Sequence, residues 1–430
     1  MTSDVGARPV SARDIALDLL GGVLRRQRPL DDAIAGHAGL AGLAARDRGF
    51  VRLVVATTLR RLGQIDAAIR ACLEKALPDR AASAQDGLRI GAAQLLFLGT
   101  PAHAAVDSAV AMAAPHYKPL LNAVLRRLAR EGAAIVAGQD AARLNTPDWL
   151  WQSWSQAYGE IACRGIAEAH LVEPPIDLTV KGEPDAWREA LGATLLPTGT
   201  LRRPAGGLIA DLPGFDQGAW WVQDAAAASP ARLLGDVRGC YVIDACAAPG
   251  GKTAQLAAAG AKVVAIDRAA PRARRLAENL ARLGLAADVQ VADIAAWRPL
   301  RLADAILLDA PCTATGAIRR HPDVARLKTP LDVARLAAMQ DRLLTAAIEM
   351  VRSGGTIVYC TCSLQPEEGP ERIRALLERV PSLSRIAITP EEVGGLAEFL
   401  TADGDLRTLP CHLADLGGID GFYAARLRRG

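Results

Sequence analysis

The chain has 430 residues, half of them hydrophobic and 23% charged, and this composition predicts a globular protein of two or three domains. Its eight cysteines include no C-x-x-C pair, and no stretch approaches the roughly 18 apolar residues of a membrane helix, so we expect a protein of the reducing cytoplasm rather than a secreted or membrane protein. The net charge is +3, but residues 1–140 hold 18 Lys and Arg against 13 Asp and Glu, a balance of +5.

Residues 1–140 are predicted to be almost entirely helical. The segment ARDIALDLLGGVLRR places Ile15, Leu19 and Leu20 on one helical face, and the pattern recurs in FVRLVVATTLRRLGQIDAAI, LRIGAAQLLFL and LLNAVLRRLAR. Arginines lie on the polar faces of these segments. They are either the solvated surface of a helical bundle or a nucleic-acid interface, and the mild positive charge permits the second interpretation without requiring it.

Between residues 141 and 235 we expect a linker and then a small α+β segment. PPIDLTVKG and ATLLPTG are typical of strands, EPDAWREAL of a short helix, and the Pro- and Gly-rich RRPAGGLIADLPGFDQG of a loop. Trp220 and Trp221 are interpreted as core or hinge residues. A large base-stacking platform is not expected, because aromatic residues make up only 4% of the chain.

From residue 236 onwards, short β-rich runs are separated by helical segments. The runs are YVIDAC, AKVVAID, DVQVAD, DAILLDA and GTIVYC, and the helical segments include PRARRLAENLARLG and DVARLAAMQDRLLTAAIEMV. This alternation predicts right-handed βαβ units and a doubly wound, mostly parallel α/β sheet. Ligands of such sheets bind beyond the carboxyl ends of the strands, so functional residues are expected where these runs end.

The first of these runs leads into a glycine-rich turn in VIDACAAPGGKT. It is not a phosphate loop, because Cys246 stands where G-x-x-x-x-G-K-[ST] requires its first glycine, and G-x-G-x-x-G is absent too. Gly250 and Gly251 let the backbone approach a ligand closely. Asp267 ends the next strand, where it can bind ribose hydroxyls, and Asp293 ends the third, within reach of an adenine amino group.

Carboxylates at successive strand ends, without a phosphate cradle, suit a nucleoside that carries a cation. S-adenosylmethionine is such a molecule. Taken singly, each carboxylate is as readily a helix cap or a turn former, but the register that they share with Asp244 and Asp309 favours the ligand interpretation.

Cysteines follow two further strand ends. ILLDAPCTATG places Cys312 past the fourth strand, and IVYCTCS places Cys360 and Cys362 at the end of the fifth. A zinc site needs about four Cys or His ligands at recognisable spacing, and a structural disulfide does not suit the compartment. Small core thiols remain an alternative for Cys246 and Cys360. That alternative fits Cys312 and Cys362 less well, because both lie on the ligand side, and a nucleophilic role is then favoured.

Two thiols beside a carboxylate match methylation at cytosine C5. This carbon attacks a sulfonium methyl group only after a thiolate has added to C6, and a carboxyl group at N3, here Asp309, assists as charge moves onto the ring. A second thiol can serve the release of the base. Methylation of an amino nitrogen needs no thiol and typically uses Asn/Asp-Pro-Pro-aromatic, which DAPC lacks. Spacing alone leaves open which thiol attacks.

In DACAAPGGKT, DAPCTATGAIRRHPD and YCTCSLQPEE the chain resembles the RNA 5-methylcytosine methyltransferases, specifically the bacterial ribosomal RNA small-subunit methyltransferase B group, also called Sun or Fmu proteins. LLNAVLRRL is similar to the NusB fold. The resemblance implies a NusB-like RNA-binding domain over 1–140, an RNA-guiding segment over 141–235 and a Rossmann-like S-adenosylmethionine-dependent domain over 236–430. It further implies a monomer that needs no metal and acts on RNA, most simply small-subunit ribosomal RNA.

The same resemblance assigns roles to individual residues. Cys362 is implied to be the nucleophile and Cys312 the release cysteine, while Asp309 faces both the methyl donor and the cytosine. The family commonly has Asn after PEE, and any contact made by that Asn has no counterpart at Gly369 of this chain. The implied methyl-donor site consists of Cys246, Ala247, Ala248, Pro249, Gly250, Gly251, Lys252, Asp267, Asp293 and Asp309.

The segment AIRRHPDVARL contributes Arg319, Arg320 and His321, which are interpreted as phosphate contacts beside the target base, with an ordinary basic loop as the alternative. Lys252 and Arg320 are also candidates for lowering a thiol pKa. Two other functions stay open. One is an RNA-binding or antitermination module with an inactive methyltransferase half, which the intact thiols and carboxylate disfavour, and the other is an enzyme with transfer RNA as substrate.

Overall fold

The computed structural model describes residues 11–430, which divide into two compact units. The first consists of residues 11–152 together with His321–Lys328, and the second of Ser153–Arg320 and Thr329–Gly430. Within residues 11–430 no helix is both long and apolar enough to cross a membrane.

The first unit is all-helical, as predicted. Helix α1 begins at a capping box in which the Ser11 side chain accepts from the Asp14 amide while the Asp14 carboxylate accepts from the Ser11 amide, and its buried face includes Ile15, Leu19 and Leu20. The helices of this region are α1 (Ala12–Leu24), α2 (Leu30–Ala35), α3 (Ala45–Arg60), α4 (Leu62–Cys72), α5 (Ala82–Leu96), α6 (Ala102–Met112), α7 (Lys118–Ala137), α8 (Ala141–Asn145) and the start of α9 (Asp148–Ala169).

Eight residues from much later in the chain belong to this helical unit. The carboxylate of Asp323 accepts a 2.9 Å hydrogen bond from the amide of Leu30, the first residue of α2. His321 Nδ1 lies 3.3 Å from Asp31 Oδ2, and the hydrogen bond with His321 is the largest cause that lowers the pKa of Asp31. The segment that follows Arg320 therefore contacts the rest of the first unit through the backbone amide of Leu30 and the side chain of Asp31.

A close approach of two helices in this unit gives a test of its packing. A Cβ atom added at Gly63 in α4 would lie 1.8 Å from the carbonyl oxygen of Leu144 in α8. We expect Gly63→Ala to lower the free energy of unfolding by roughly 1–3 kcal/mol, because backbone has to move to admit the methyl group. Thermal denaturation measures this loss of stability. Gly49→Ala is the matched control, since nothing lies within 4 Å of that position in α3 and the substitution should be neutral or stabilising.

The second unit contains a small antiparallel sheet with strand order β2-β3-β1-β4. The predicted strands in PPIDLTVKG and ATLLPTG and the helix in EPDAWREAL are confirmed, whereas β3 and β4 arise in segments for which no strand was predicted. Trp220 and Trp221 are buried core residues. The elements are β1 (Ile176–Val180), α10 (Asp185–Arg188), β2 (Thr194–Leu195), β3 (Leu201–Arg203) and β4 (Trp220–Val222).

The rest of this unit is a doubly wound α/β sheet, as predicted, with strand order β10-β12-β9-β8-β5-β6-β7 and β11 paired with β12. The strands β5 to β9 run parallel and match the five predicted runs, while β12 is antiparallel to β9 and was not predicted. The strands are β5 (Tyr241–Ala245), β6 (Lys262–Asp267), β7 (Asp288–Val291), β8 (Ala303–Asp309), β9 (Val351–Thr361), β10 (Leu383–Arg385), β11 (Leu406–Thr408) and β12 (Phe422–Arg429).

Helices cover both faces of this sheet. Ile243, Ile306 and Ile357 point into a core shared with α15 and α16, and their neighbours along the strands, such as Val242 and Leu307, point into a second core beside α11 and α12. This alternation buries both faces of the central strands and aligns their carboxyl ends along one edge. The helices are α11 (Ala225–Arg232), α12 (Gly251–Ala258), α13 (Ala270–Leu283), α14 (Val324–Leu327), which lies in the first unit, α15 (Pro330–Met350) and α16 (Pro370–Arg379).

Candidate active site

A cavity of about 670 Å³, including its open mouth, lies at the carboxyl ends of β5, β6 and β7. Apolar side chains from the sheet and from α15 form much of the wall, with carboxylates and arginines at its rim. The lining residues are Cys246, Ile266, Asp267, Arg268, Arg272, Ala292, Asp293, Ile294, Ala295, Pro311, Met339, Arg342 and Leu343.

Two of the predicted carboxylates reach this cavity, and each also stabilises a loop. Asp267 is 3% exposed and accepts from the amides of Ala248 (3.3 Å) and Ala269 (3.0 Å). Asp293 is exposed and accepts from the amide of Ala295 at 3.0 Å. The turn-forming interpretation is therefore confirmed for both residues, and their binding of a ligand stays a prediction. Asp244, which shares their register, is instead fully buried within β5, where burial raises its pKa to about 7.

The glycine-rich turn packs tightly between β5 and α12. Gly250 has φ 102° and is the N-cap of α12, and a Cβ atom there would lie 2.9 Å from Leu276 Cγ, so both its conformation and its space favour glycine. Cys246 lines the cavity, and burial raises its pKa to about 12, which fits a small structural thiol better than a reactive one.

Asp309, the last residue of β8, is held by two neighbours. Lys252 Nζ donates to its Oδ2 at 2.8 Å, and Cys360 Sγ donates to its Oδ1 at 3.5 Å. Burial lowers the pKa of Lys252, but the Asp309 carboxylate outweighs burial and the pKa is raised overall, so Lys252 remains an ammonium. The Lys252 side chain is 9% exposed and that of Asp309 31%, so the carboxylate faces solvent and the lysine lies behind it.

Two of the four cysteines at this edge of the sheet form a pair. Cys312 Sγ and Cys362 Sγ lie 3.5 Å apart, although 50 residues separate them in the chain. The hydrogen bond with Cys362 and burial raise the pKa of Cys312 well above the usual value. Cys360 is a fully buried core residue, which confirms the alternative interpretation of this cysteine as a small core thiol.

Lys252 and Arg320 both lie within electrostatic range of Cys362, because the Cys362 thiolate contributes to raising the pKa of each. For Arg320 the larger causes are burial, which lowers the pKa, and Asp420 and Asp224, which raise it.

The three predicted RNA-contact residues occupy different environments. Arg319 is 1% exposed and is ion-paired with Asp224 at 2.8 Å and with Asp420 at 3.4 Å. This burial contradicts the predicted phosphate contact for Arg319, whose guanidinium instead neutralises two buried carboxylates. Arg320 is partly exposed beside Cys362, and His321 belongs to the helical unit, so for these two a phosphate contact stays a prediction.

The space beside Gly369 is filled by other side chains. A Cβ atom at this position would lie 2.9 Å from Arg407 Nη2 and 3.0 Å from Tyr423 Cγ. The guanidinium of Arg407 lies 5.0 Å from the centre of the Tyr423 ring and donates to the carbonyl of Ser363 at 2.6 Å. Glycine is thus the residue that lets Arg407 reach the loop after Cys362.

Sequence reasoning assigned no role to Glu368, the second glutamate of PEE, yet it is fully buried beside both thiol loops. Its burial could not be read from the sequence, because a glutamate in a Pro-Glu-Glu turn is ordinarily a solvated first-turn residue.

A doubly wound sheet with a cavity at the carboxyl ends of its strands, and with carboxylates at those strand ends, defines a Rossmann-like methyltransferase. A solved structure described as a methyltransferase homolog protein from Pyrococcus horikoshii has a TM-score of 0.54 and 25% identity over 65% of this chain and 94% of that chain.

Residues 231–428 match the family described as 16S rRNA methyltransferase RsmB/F, and residues 10–130 match the NusB family. Curated relatives named ribosomal RNA small subunit methyltransferase B include one from Pseudomonas putida, 36% identical over 97% of this chain and 98% of the relative. Another, from Sodalis glossinidius, is 36% identical over 90% of this chain and 91% of the relative. The chain belongs to the ribosomal RNA small subunit methyltransferase B family.

Proposed function

We propose that the protein transfers a methyl group from S-adenosylmethionine to C5 of a cytosine in small-subunit ribosomal RNA, with Cys362 as the nucleophile. The observation that carries the proposal is the pair of thiols 3.5 Å apart, which follow the strands that end at Asp309 and Thr361 and lie next to the strand-end cavity. The names of the curated relatives supply the RNA class.

The cavity fits the methyl donor on its own chemistry. Ile266, Ile294 and Leu343 offer apolar walls for a purine, while Asp267 and Asp293 offer acceptors for ribose hydroxyls and an amino group. When bound, S-adenosylmethionine supplies an electrophilic methyl group on a sulfonium sulfur. Cys246, at the start of the glycine-rich turn, and Pro311, directly before Cys312, both line the cavity.

Three residues of the site carry the attack on the base, the assistance at the ring and the release of the product. Cys362, with positive charge from Lys252 and Arg320 nearby, adds as a thiolate to C6 and makes C5 nucleophilic. Asp309, oriented by its 2.8 Å contact with Lys252, assists at N3 of the ring as its carboxyl group donates a hydrogen bond or a proton while negative charge develops there. After methyl transfer, loss of the C5 proton and cleavage of the S–C6 bond free the base. Cys312 serves this release: its thiol gives a proton to the departing Cys362 sulfur, and the Cys312 thiolate so formed takes the C5 proton, which restores both thiols.

As part of the same proposal, the helical domain binds RNA and the α+β segment guides it towards the site. The mildly basic charge of residues 1–140 supports the first role. All eight cysteines are free, which is consistent with action in the reducing cytoplasm. We propose a monomer, because one chain provides both thiols and the cavity.

A covalent trap tests the assignment. Cys312→Ser protein, mixed with labelled RNA and S-adenosylmethionine, should form an RNA adduct that survives a denaturing gel, since attack proceeds and release does not. Cys312→Ser/Cys362→Ser is the control and should form none. Absence of an adduct, with C5 methylation persisting in Cys362→Ser, would refute the assignment. A chain that fails to bind S-adenosylmethionine would point instead to an inactive RNA-binding module, and labelled transfer RNA tests the other substrate class.

A further inference from the structure

Glu368 lies at the end of the short turn that follows Cys362, and its carboxylate is buried among hydrogen-bond donors. Its Oε1 accepts from the Thr313 amide at 2.9 Å and from Gln340 Nε2 at 3.2 Å. Its Oε2 accepts from the Ser363 hydroxyl at 2.6 Å and from the Thr313 hydroxyl. Four donors on one carboxylate offset much of the cost of its burial.

These donors flank the two thiols. Thr313 directly follows Cys312, and Ser363 directly follows Cys362. Gln340 also donates to the carbonyl of Pro311, the residue before Cys312, at 2.9 Å. A single carboxylate therefore connects the loop after β8 to the loop after β9 at the positions next to the paired sulfur atoms.

The backbone of Glu368 is itself fixed to the sheet. The Tyr359 hydroxyl donates to the backbone carbonyl of Glu368 at 2.8 Å, and the Thr361 hydroxyl donates to the same oxygen at 3.2 Å. Both residues belong to β9, the strand that ends next to Cys362. Because a β-strand buried on both faces is rigid, it provides a fixed reference for both loops.

Glu368 also affects the pKa of Cys312. The largest causes that raise the pKa of Cys312 are its hydrogen bond with Cys362, burial and the charge of Cys362. The charge of Glu368 raises this pKa as well. Loss of this charge would therefore change the ease with which Cys312 gives up its proton, in addition to any change in distance.

We propose that Glu368 is a positioning residue that sets the separation of Cys312 and Cys362, so that one thiol attacks while its neighbour is held beside the departing sulfur. The catalytic part of this inference rests on the proposed function, whereas the geometric part does not. Glu368→Gln keeps the size of the side chain but removes its charge and turns one acceptor into an N–H donor. Where this donor faces the Ser363 and Thr313 hydroxyls, both hydroxyls must accept instead of donate, so charge-assisted contacts to the two loops are replaced by weaker neutral ones.

The experiment compares Glu368→Gln with wild-type protein and with Glu378→Gln, which removes an exposed carboxylate from α16. Two readouts are taken on the full chain. The first is kcat and KM for methylation of RNA. The second needs no RNA: the rate at which diamide joins Cys312 to Cys362, with the linked peptides identified by mass spectrometry. Diamide takes up the two thiol hydrogens as the S–S bond forms, so the rate reports the approach of the sulfur atoms.

For Glu368→Gln we expect kcat to fall on the order of 100-fold, the usual cost of a misplacement of about 1 Å, while KM for RNA changes little. The diamide reaction should slow by roughly tenfold or more, since bond formation needs sulfur atoms in contact at fixed geometry. Glu378→Gln should match wild type in both. Unchanged cross-linking in a folded Glu368→Gln protein overturns the proposal, whether or not kcat falls.

A milder variant covers the case in which Glu368→Gln does not fold. Ser363→Ala removes one of the four donors and should slow cross-linking in the same direction, by a smaller factor; cross-linking at the wild-type rate in this variant contradicts the proposal. A wild-type protein that does not methylate cytosine, but whose cross-linking still depends on Glu368, supports the positioning role and refutes the proposed function instead.

Discussion

Replacing Cys362 by serine should abolish methyl transfer, with a loss on the order of 10⁴-fold or more, whereas the same change at Cys360 should leave most activity. The first removes the proposed nucleophile, and removal of a covalent nucleophile ranks among the largest single-residue effects on kcat. Cys360 only donates a hydrogen bond to Asp309 Oδ1 from within the core, and a serine hydroxyl can donate the same bond.

This pair of variants is well matched, because the two cysteines lie two residues apart and the substitution is identical. Methyl transfer from labelled S-adenosylmethionine to RNA measures the outcome, with thermal denaturation to establish that both variants fold. Comparable activity in the two variants would contradict the role of Cys362. A larger loss in Cys360→Ser would shift the chemistry to the buried cysteine.

Arg319→Leu should cost about 3–5 kcal/mol of stability, the usual penalty for removing one partner from a buried ion pair. The Arg319 guanidinium lies 2.8 Å from Asp224 and 3.4 Å from Asp420, and the side chains of both carboxylates are 1% exposed. Leucine keeps an apolar volume but supplies no charge. Urea denaturation measures the loss. Arg298→Leu is the control, since Arg298 pairs with Glu349 at the surface and such pairs contribute little.

The loss at Arg319 should depend on pH. In the wild-type protein, burial raises the pKa of Asp224, with repulsion from Asp420 adding to the effect and Arg319 opposing it. Without Arg319 the folded-state pKa rises further above that of the unfolded chain. A carboxyl group with a raised folded-state pKa stabilises most when protonated, and this contribution is lost as the pH rises through that pKa. Arg319→Leu should therefore be more destabilising at pH 8 than at pH 5, and a constant loss would argue against ionised carboxylates.

The sequence was most informative where a single strand determines the geometry. The five runs from YVIDAC to GTIVYC were recognisable because central strands of a parallel sheet are buried on both faces and are apolar throughout. Since parallel strands end along one edge, the position of Asp267, Asp309 and the cysteines along that edge followed from the pattern. The Cys312–Cys362 pair was predictable to the level of neighbouring loops, but not to a contact of 3.5 Å.

What the sequence could not provide depends on side chains that meet from distant parts of the chain. Arg319 and Arg320 are adjacent and chemically alike, and both pair with Asp420, yet the Arg319 side chain is 2% exposed and that of Arg320 36%. The acidic partners are about 100 residues away on either side, and no local pattern connects them. Burial of Glu368 is likewise decided by Thr313 and Gln340, which no spacing rule relates to it.

Residues 321–328 belong to the helical unit, so a cut of the chain at residue 152 would separate parts of one unit. A fragment that stops at residue 152 would lack Asp323, so the amide of Leu30 at the start of α2 would lose its carboxylate partner. The N-terminal part of the molecule is thus not a complete unit on its own, because residues synthesised after most of the chain also belong to it. During translation from the N-terminus, this unit reaches its final form only once residue 328 has left the ribosome.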